Sequence, residues 1–269
     1  MTRSKTPKTP AGQLERHEDS LQVNSRVFAA RLEPFSSFWQ GPEDVESGYS
    51  KFAAYYSHNY VPYLPSDRSA RILVVSCGPG YLLSVLRDLG YTNVLGIDSD
   101  PEKLEYALRR GLDCQIADPF EFLEEGHPPF DLIVPEQELN HLTLDEMIDF
   151  LRLCRQRLAP EGQIMVYGLN GANPLVAGEN LAHNIDHFNL FAEYSLTQIL
   201  TLTGFDEVKV LPLRLYVFWR NPLNYVGVAA MFLIETMLRI SFILYGKDVK
   251  ILTKKLAAIA TVAPSNRAK

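Results

Sequence analysis

Residues 72–82 read Ile-Leu-Val-Val-Ser-Cys-Gly-Pro-Gly-Tyr-Leu. An uninterrupted aliphatic run fits a strand buried on both faces, the mark of a parallel sheet sandwiched between helices. The two glycines that follow let the backbone turn with φ > 0 and approach a ligand closely. The helix expected next presents N–H groups without intrahelical partners to a carboxylate or phosphate. Ligands of open α/β sheets bind at such strand ends, so this one segment sets a fold class and a place to look for chemistry.

The rest of the chain extends the pattern. Apolar runs at residues 72–75, 94–97, 112–117, 130–134, 163–167, 208–211 and 257–262 predict seven strands, the fifth after a Pro160-Glu161-Gly162 turn. Helical spacing at residues 82–89, 102–110, 144–158 and 195–203 lies between them, which implies βαβ units with right-handed crossovers. The expected fold class is α/β: Rossmann-like, doubly wound, with a mostly parallel seven-stranded sheet. An N-terminal helical prelude precedes it and a helical insertion comes before the last strand. Residues 1–20 read as a disordered tail and 21–65 as a prelude or lid, with helical spacing at 23–32 and 43–64. Residues 66–264 are the domain proper, including the apolar insertion 214–248. The prelude is rich in aromatics, among them Phe52, Tyr55, Tyr56, Tyr60 and Tyr63, read as core filler beneath the sheet. A length of 269 residues suits one core with decoration.

Composition narrows the function. Hydrophobic residues make up 46% and charged residues 22%, as in an ordinary globular protein. A net charge of -6 argues against nucleic acid as partner, because phosphate binding depends on clustered Lys and Arg. Cys77, Cys114 and Cys154 form no CxxC pair, so a reducing, cytoplasmic setting is expected. No apolar stretch of signal-peptide type follows Arg3, Lys5 and Lys8.

Asp98 closes the second predicted strand in Gly96-Ile97-Asp98-Ser99-Asp100-Pro101, where an acid can chelate a ribose diol. Leu83 stands where a GxGxxG dinucleotide fingerprint requires its third glycine, which disfavours a pyrophosphate turn. Ser99 or Asp100 should cap the next helix, with Pro101 at its first position. Taken in order, Val74 to Gly80, Asp98, Ala117-Asp118, Phe130-Asp131-Leu132-Ile133 and Pro160-Glu161-Gly162 resemble the signature segments of class I S-adenosylmethionine-dependent methyltransferases. The resemblance spans roughly residues 55–210. It implies S-adenosyl-L-methionine as methyl donor, with Gly78 and Gly80 lining its methionine portion, Asp98 at its ribose and Asp118 facing its adenine, and with Ser76 and Ser99 also among the donor-binding residues. The family usually has an acid where Val74 stands and a glycine where Ser76 stands.

Methyl transfer from a sulfonium is an in-line displacement, so alignment of the reactants contributes most. A hydroxyl acceptor also needs a base, and histidine titrates in the right range. His141, after the fourth strand, and His187, after the fifth, are the catalytic candidates. The segment Asp186-His187-Phe188-Asn189-Leu190-Phe191 resembles a bacterial methyltransferase subgroup associated with surface polysaccharide synthesis. That resemblance implies O-methylation of a glycan or cell-envelope precursor, with a small metabolite or lipid as the alternative acceptor and a non-catalytic interaction protein as the alternative class. The acceptor would be a sugar, a lipid-linked sugar or another small molecule. No metal is expected, because Glu136, Glu138 and His141 read better as a solvated loop than as ligands. His183 reads as surface decoration.

Residues 223–245 are apolar and long enough to span a bilayer as a helix. Glu235 and Arg239 lie near the middle, each costing ~2.5–3.5 kcal/mol at a bilayer centre, so spanning is not expected. The segment is read as a helix packed on the sheet, an acceptor lid or a homodimer contact, with in-plane contact at the inner face of the membrane as the alternative.

Overall fold

The computed structural model describes residues 42–136, 139–183, 187–214 and 223–263. Its strands are β1 (Ile72–Val75), β2 (Val94–Asp98), β3 (Cys114–Ile116), β4 (Phe130–Pro135), β5 (Leu158–Leu169), β6 (Val208–Leu213) and β7 (Lys255–Thr261). They form one sheet in the order β3-β2-β1-β4-β5-β7-β6. β1 pairs in parallel with β2 and β4, and β7 runs antiparallel between β5 and β6. The winding reverses between β1 and β4, and the crevice of a doubly wound sheet opens at such a reversal.

The helices are α1 (Pro42–Asn59), α2 (Tyr81–Asp88), α3 (Pro101–Arg109), α4 (Pro119–Glu124), α5 (Leu144–Arg157), α6 (Ala177–His183), α7 (Glu193–Leu202) and α8 (Leu223–Leu244). Alternation along β1 divides the core in two. Leu73 and Val75 pack with Phe120, Phe150 and Leu196 on one face, while Ile72 and Val74 pack with Tyr60, Leu86 and Leu104 on the other. Several starts follow local capping chemistry. Asp100 accepts from the N–H groups of Glu102 and Lys103, and Thr143 and Glu146 form a reciprocal capping box.

The structure differs from the sequence reading in three places. β5 begins at Leu158, before the expected turn, because Pro160-Glu161-Gly162 is absorbed as an irregularity inside the strand. The pairing register shifts between Phe130 and Leu132, Glu161 takes φ +65 and a Cβ at Gly162 would meet the Ala159 carbonyl at 2.8 Å. The helix α6 has no counterpart in the sequence reading. The expected helix at residues 23–32 lies outside the described residues. The third difference corrects the expectation that the apolar insertion packs on the sheet: α8 buries none of its residues, and Phe232 is 68% exposed. Its half-buried positions, Asn224, Gly227, Met231, Glu235, Leu238 and Phe242, follow i, i+3, i+4 spacing along one stripe. Glu235 faces Arg214 at 3.5 Å, and Arg239 donates to the Lys250 carbonyl at 2.9 Å. Among the described residues it is the one helix long and apolar enough to cross a membrane.

Candidate active site

The glycine turn leaves β1 at Ser76 and is pinned to its neighbours by backbone hydrogen bonds. Cys77 N–H donates to Ile97 at 3.0 Å and Gly80 N–H to Cys77 at 2.9 Å. Ser76 has φ +54, so the left-handed backbone expected of glycine persists here with a side chain, at a cost of about 1–2 kcal/mol. The two glycines differ. A Cβ on Gly78, at φ +52, would meet nothing within 4 Å, whereas on Gly80 it would meet Leu112 Cδ1 at 2.7 Å and Ala107 Cβ at 3.0 Å. Gly80 therefore serves close packing beneath α3, and Gly78 faces open space. Cys77 points inward, where Gly96 makes room: a Cβ there would come within 2.8 Å of Cys77 Sγ.

Asp98 ends β2 against this turn. Its Oδ2 accepts from Gly78 N–H at 2.7 Å and its Oδ1 from Asp100 N–H at 2.8 Å. Burial pushes the Asp98 carboxyl up, and those two N–H bonds oppose the shift. One hydrogen bond per oxygen leaves each with acceptor capacity toward a diol. Ser99 lies between Asp98 and the cap residue Asp100, half-buried. Asp118 follows β3 and caps α4 by accepting from Phe120 and Glu121 N–H through Oδ1, so one oxygen is committed to the helix. Val74 is fully buried between Gly96 of β2 and Val134 of β4.

α1 covers the turn. Tyr49 hydroxyl donates to the Pro79 carbonyl at 2.5 Å, and Tyr81 hydroxyl donates to the Val45 carbonyl at 3.1 Å. The Tyr49 and Tyr81 rings meet edge-on at 4.8 Å, and Phe52 stacks on Tyr81 at 4.8 Å. Arg110 lies 3.5 Å from the Tyr49 ring centroid and pairs with Glu46. Burial pushes the Tyr49 hydroxyl up to about 12, so it remains a donor near neutral pH. Gly48 permits this approach: a Cβ there would fall 2.3 Å from the Tyr81 hydroxyl.

The structure brings the two candidate histidines together. His141, in the 3-10 turn Leu139–His141, and His187 have ring centroids 4.5 Å apart at 71°. The Asn140 carbonyl accepts from Phe188 N–H at 2.8 Å, which ties the two segments. His187 Nδ1 is hydrogen-bonded to the Asn180 carbonyl. A carbonyl can only accept, so Nδ1 carries the hydrogen and the neutral ring keeps its lone pair on Nε2. The Asn140 carboxamide is fully buried and finds no partner among the described residues. Glu138 and the side chain of His183 lie outside what is described.

Sequence reasoning gave Glu136 only a place in a solvated loop, and the structure corrects this. Its Oε1 is closed off from solvent, Tyr56 donates to Oε2 and Tyr167 hydroxyl donates to its carbonyl at 2.5 Å. Burial pushes the carboxyl up to about 7, opposed by the hydroxyls of Tyr56 and Tyr60 and by Lys255. The available signal was an acid directly after a buried strand, with tyrosines clustered in the prelude.

Residues 49–210 match the model of a family described as methyltransferase domain. The ubiquinone biosynthesis O-methyltransferase of Caulobacter sp. (strain K31) is 31% identical over 106 residues, covering 37% of this chain and 41% of that protein. The ribosomal protein L11 methyltransferase of Janthinobacterium sp. (strain Marseille) is 32% identical over 103 residues, 36% of this chain and 32% of that protein. The matched segments thus span less than half of either relative. Among solved structures, a SAM-dependent methyltransferase from Archaeoglobus fulgidus superposes with a TM-score of 0.58 at 18% identity, covering 81% of this chain and 94% of that one.

Proposed function

The chain belongs to the methyltransferase-domain family, and on that premise we propose that it transfers a methyl group from S-adenosylmethionine to a hydroxyl of a small-molecule or cell-envelope acceptor. The observation that carries the reading is the pairing of the Asp98 carboxylate with the N–H of Gly78, whose other side is open. Each Asp98 oxygen retains acceptor capacity for one hydroxyl of a ribose. Gly78, Ser76 and the start of α2 would hold the amino-acid end, with Ser99 and the uncommitted side of Asp118 toward the nucleoside. Gly80 supports this turn through packing. The donor would supply a methyl carbon on a sulfonium, while the protein orients the acceptor and excludes water beneath α1.

O-methylation is supported by the state of His187. With Nδ1 bonded to the Asn180 carbonyl, Nε2 is the basic atom, and His141 packs against the same ring. The sequence-based reading of a glycan or lipid-linked sugar acceptor rests on the segment around His187. A small hydroxylated metabolite fits the same chemistry. A cytoplasmic protein lying at the inner face of the membrane is part of the reading, supported by the exposed face of α8 with its charges turned toward Arg214 and Lys250. A homodimer through that face is the alternative.

Calorimetry with S-adenosylhomocysteine tests the core of this reading. Binding to the wild-type chain that disappears in Asp98→Ala supports it, and no binding to folded wild-type protein overturns it. Mass spectrometry of products formed from labelled donor and a panel of sugar and small-molecule hydroxyls then identifies the acceptor.

A further inference from the structure

A cavity of about 260 Å³ lies between α1 and the C-terminal end of β4. The rings of Phe52, Tyr55, Tyr56, Tyr60 and Tyr167 line it, together with Glu136, Lys51 and Lys255. Tyr56 and Tyr60 are buried and Phe52 and Lys51 are exposed, so the cavity runs from an outer cationic and aromatic rim to an inner carboxyl. We propose that this cavity is the acceptor subsite, that it takes a single phenolic ring, and that Glu136 receives the proton of the ring hydroxyl. The inference rests on the methyltransferase reading, commits it to a small-metabolite acceptor over a glycan, and gives the base role to Glu136 in place of His187.

Position comes first. Glu136 N–H donates to the Val75 carbonyl at 2.8 Å, which ties this residue to the last strand position before the Ser76–Gly80 turn. The subsite is therefore joined to the turn that would hold the donor. Size comes next. An apolar cavity of about 150 Å³ accommodates benzene, so this one holds one ring with one or two substituents and is too small for a disaccharide. Aromatic walls favour stacking or edge contact with a flat ring.

The chemistry of Glu136 then selects the reacting group. Oε2 is occupied by the Tyr56 hydroxyl, while Oε1 finds no hydrogen-bond partner among the described residues. A buried acceptor left unpaired is unfavourable, and rotation of the carboxyl toward the cavity lets a donor on the ligand satisfy it. Lys51 and Lys255 disfavour an ammonium ligand, so the donor is a neutral hydroxyl. The groups facing Glu136 are Tyr55, Tyr56 and Tyr60 from α1 and its end, Tyr167 from β5, Lys255 from β7 and Cys77 from the turn. With its carboxyl raised to about 7, Glu136 is far better matched to a phenol near 10 than to an alcohol near the 15.7 of water. In the step, the phenol O–H bond breaks and its proton passes to the Glu136 carboxylate. The phenol oxygen forms a bond to the methyl carbon as the S–CH3 bond of the donor breaks, leaving the electron pair on a neutral thioether sulfur.

Catechol is the probe. Calorimetry should detect catechol binding to the donor-free chain and tighter binding with S-adenosylhomocysteine present. Glu136→Gln should bind S-adenosylhomocysteine as wild type does and catechol within a few-fold, yet transfer methyl to catechol ~10²–10⁴-fold more slowly. The rise of wild-type kcat/KM through about pH 7 should vanish in that variant. Tyr55→Trp, which fills the cavity and leaves Glu136 in place, should abolish catechol binding. Normal S-adenosylhomocysteine binding without catechol binding overturns the subsite alone, as does unchanged transfer by Glu136→Gln, whereas failure to bind S-adenosylhomocysteine overturns the methyltransferase reading beneath it.

Discussion

α1 and α8 are both helices outside the βα alternation, yet they have opposite fates. The 18 residues of α1 include tyrosines, lysine and glutamate, and the helix is packed against α2 with Val45 and Tyr56 in the core. The 22 residues of α8 are far more apolar, and none is buried. Hydropathy alone ranks them the wrong way round. Tyrosine joins a large apolar ring to a hydroxyl that must find a partner. Tyr49 finds Pro79, Tyr56 finds Glu136 and, from the facing helix, Tyr81 finds Val45. Asn59 adds a two-way bond with Arg214, donating to its carbonyl at 3.1 Å and accepting from its N–H at 2.8 Å. Among the described residues, α8 meets the rest of the chain through a few polar contacts on its inner stripe, and its aliphatic outer face has no complementary surface. An apolar patch of that extent marks an interaction site.

The sharpest test of the contrast is Tyr60→Ala. Tyr60 follows α1 and is 2% exposed, so its truncation should destabilise the chain by about 3–5 kcal/mol, as for other large buried rings. Urea unfolding measures this, and a loss under 1 kcal/mol would mean that the prelude is not part of the core. A smaller effect is expected of Gly48→Val, which places carbon against the Tyr81 hydroxyl. Overpacking there should cost ~1–3 kcal/mol and weaken S-adenosylhomocysteine binding, because the turn moves with α1. In that turn, Ser76→Gly should stabilise the chain by roughly 0.5–1 kcal/mol. Relief of the left-handed serine outweighs the added freedom of glycine in the unfolded chain, and a destabilised variant would show that the serine hydroxyl is needed.

The smallest change in stability belongs to α8. Phe232→Asp together with Leu233→Asp should alter urea stability by no more than about 0.5 kcal/mol, since both sites are exposed. The same substitutions should abolish co-sedimentation with vesicles of mixed zwitterionic and anionic phospholipid. If the wild-type chain ignores vesicles but sediments as a dimer that the double variant dissociates, the helix covers itself and the membrane reading fails.

Much of the fold was legible because its signals are local. Aliphatic runs marked the strands, and Asp100-Pro101 marked a helix start. Gly78, Gly80 and Asp98 were legible as a group, since a turn and the end of the neighbouring parallel strand meet whenever β1 pairs with β2. The pairing of His141 with His187 was foreseeable only as a shared sheet end. Their ring contact depends on how the Asn140 and Phe188 segments hydrogen-bond. The roles of Gly78 and Gly80 could not be separated in advance, because what a Cβ would meet is a property of packing.

The amino-acid order by itself determined the sheet, the place of the crevice and the acid at its edge, because strand burial, glycine conformation and helix capping act over a few residues. Only the tertiary structure decided that Glu136 closes an aromatic cavity and that α8 lies bare. Both outcomes depend on groups far apart in the chain: Tyr56 and Tyr167 around one carboxyl, and the absence of a matching surface for one helix among the described residues. Desolvation and shape complementarity, unlike propensity, exist only once those distant groups have met.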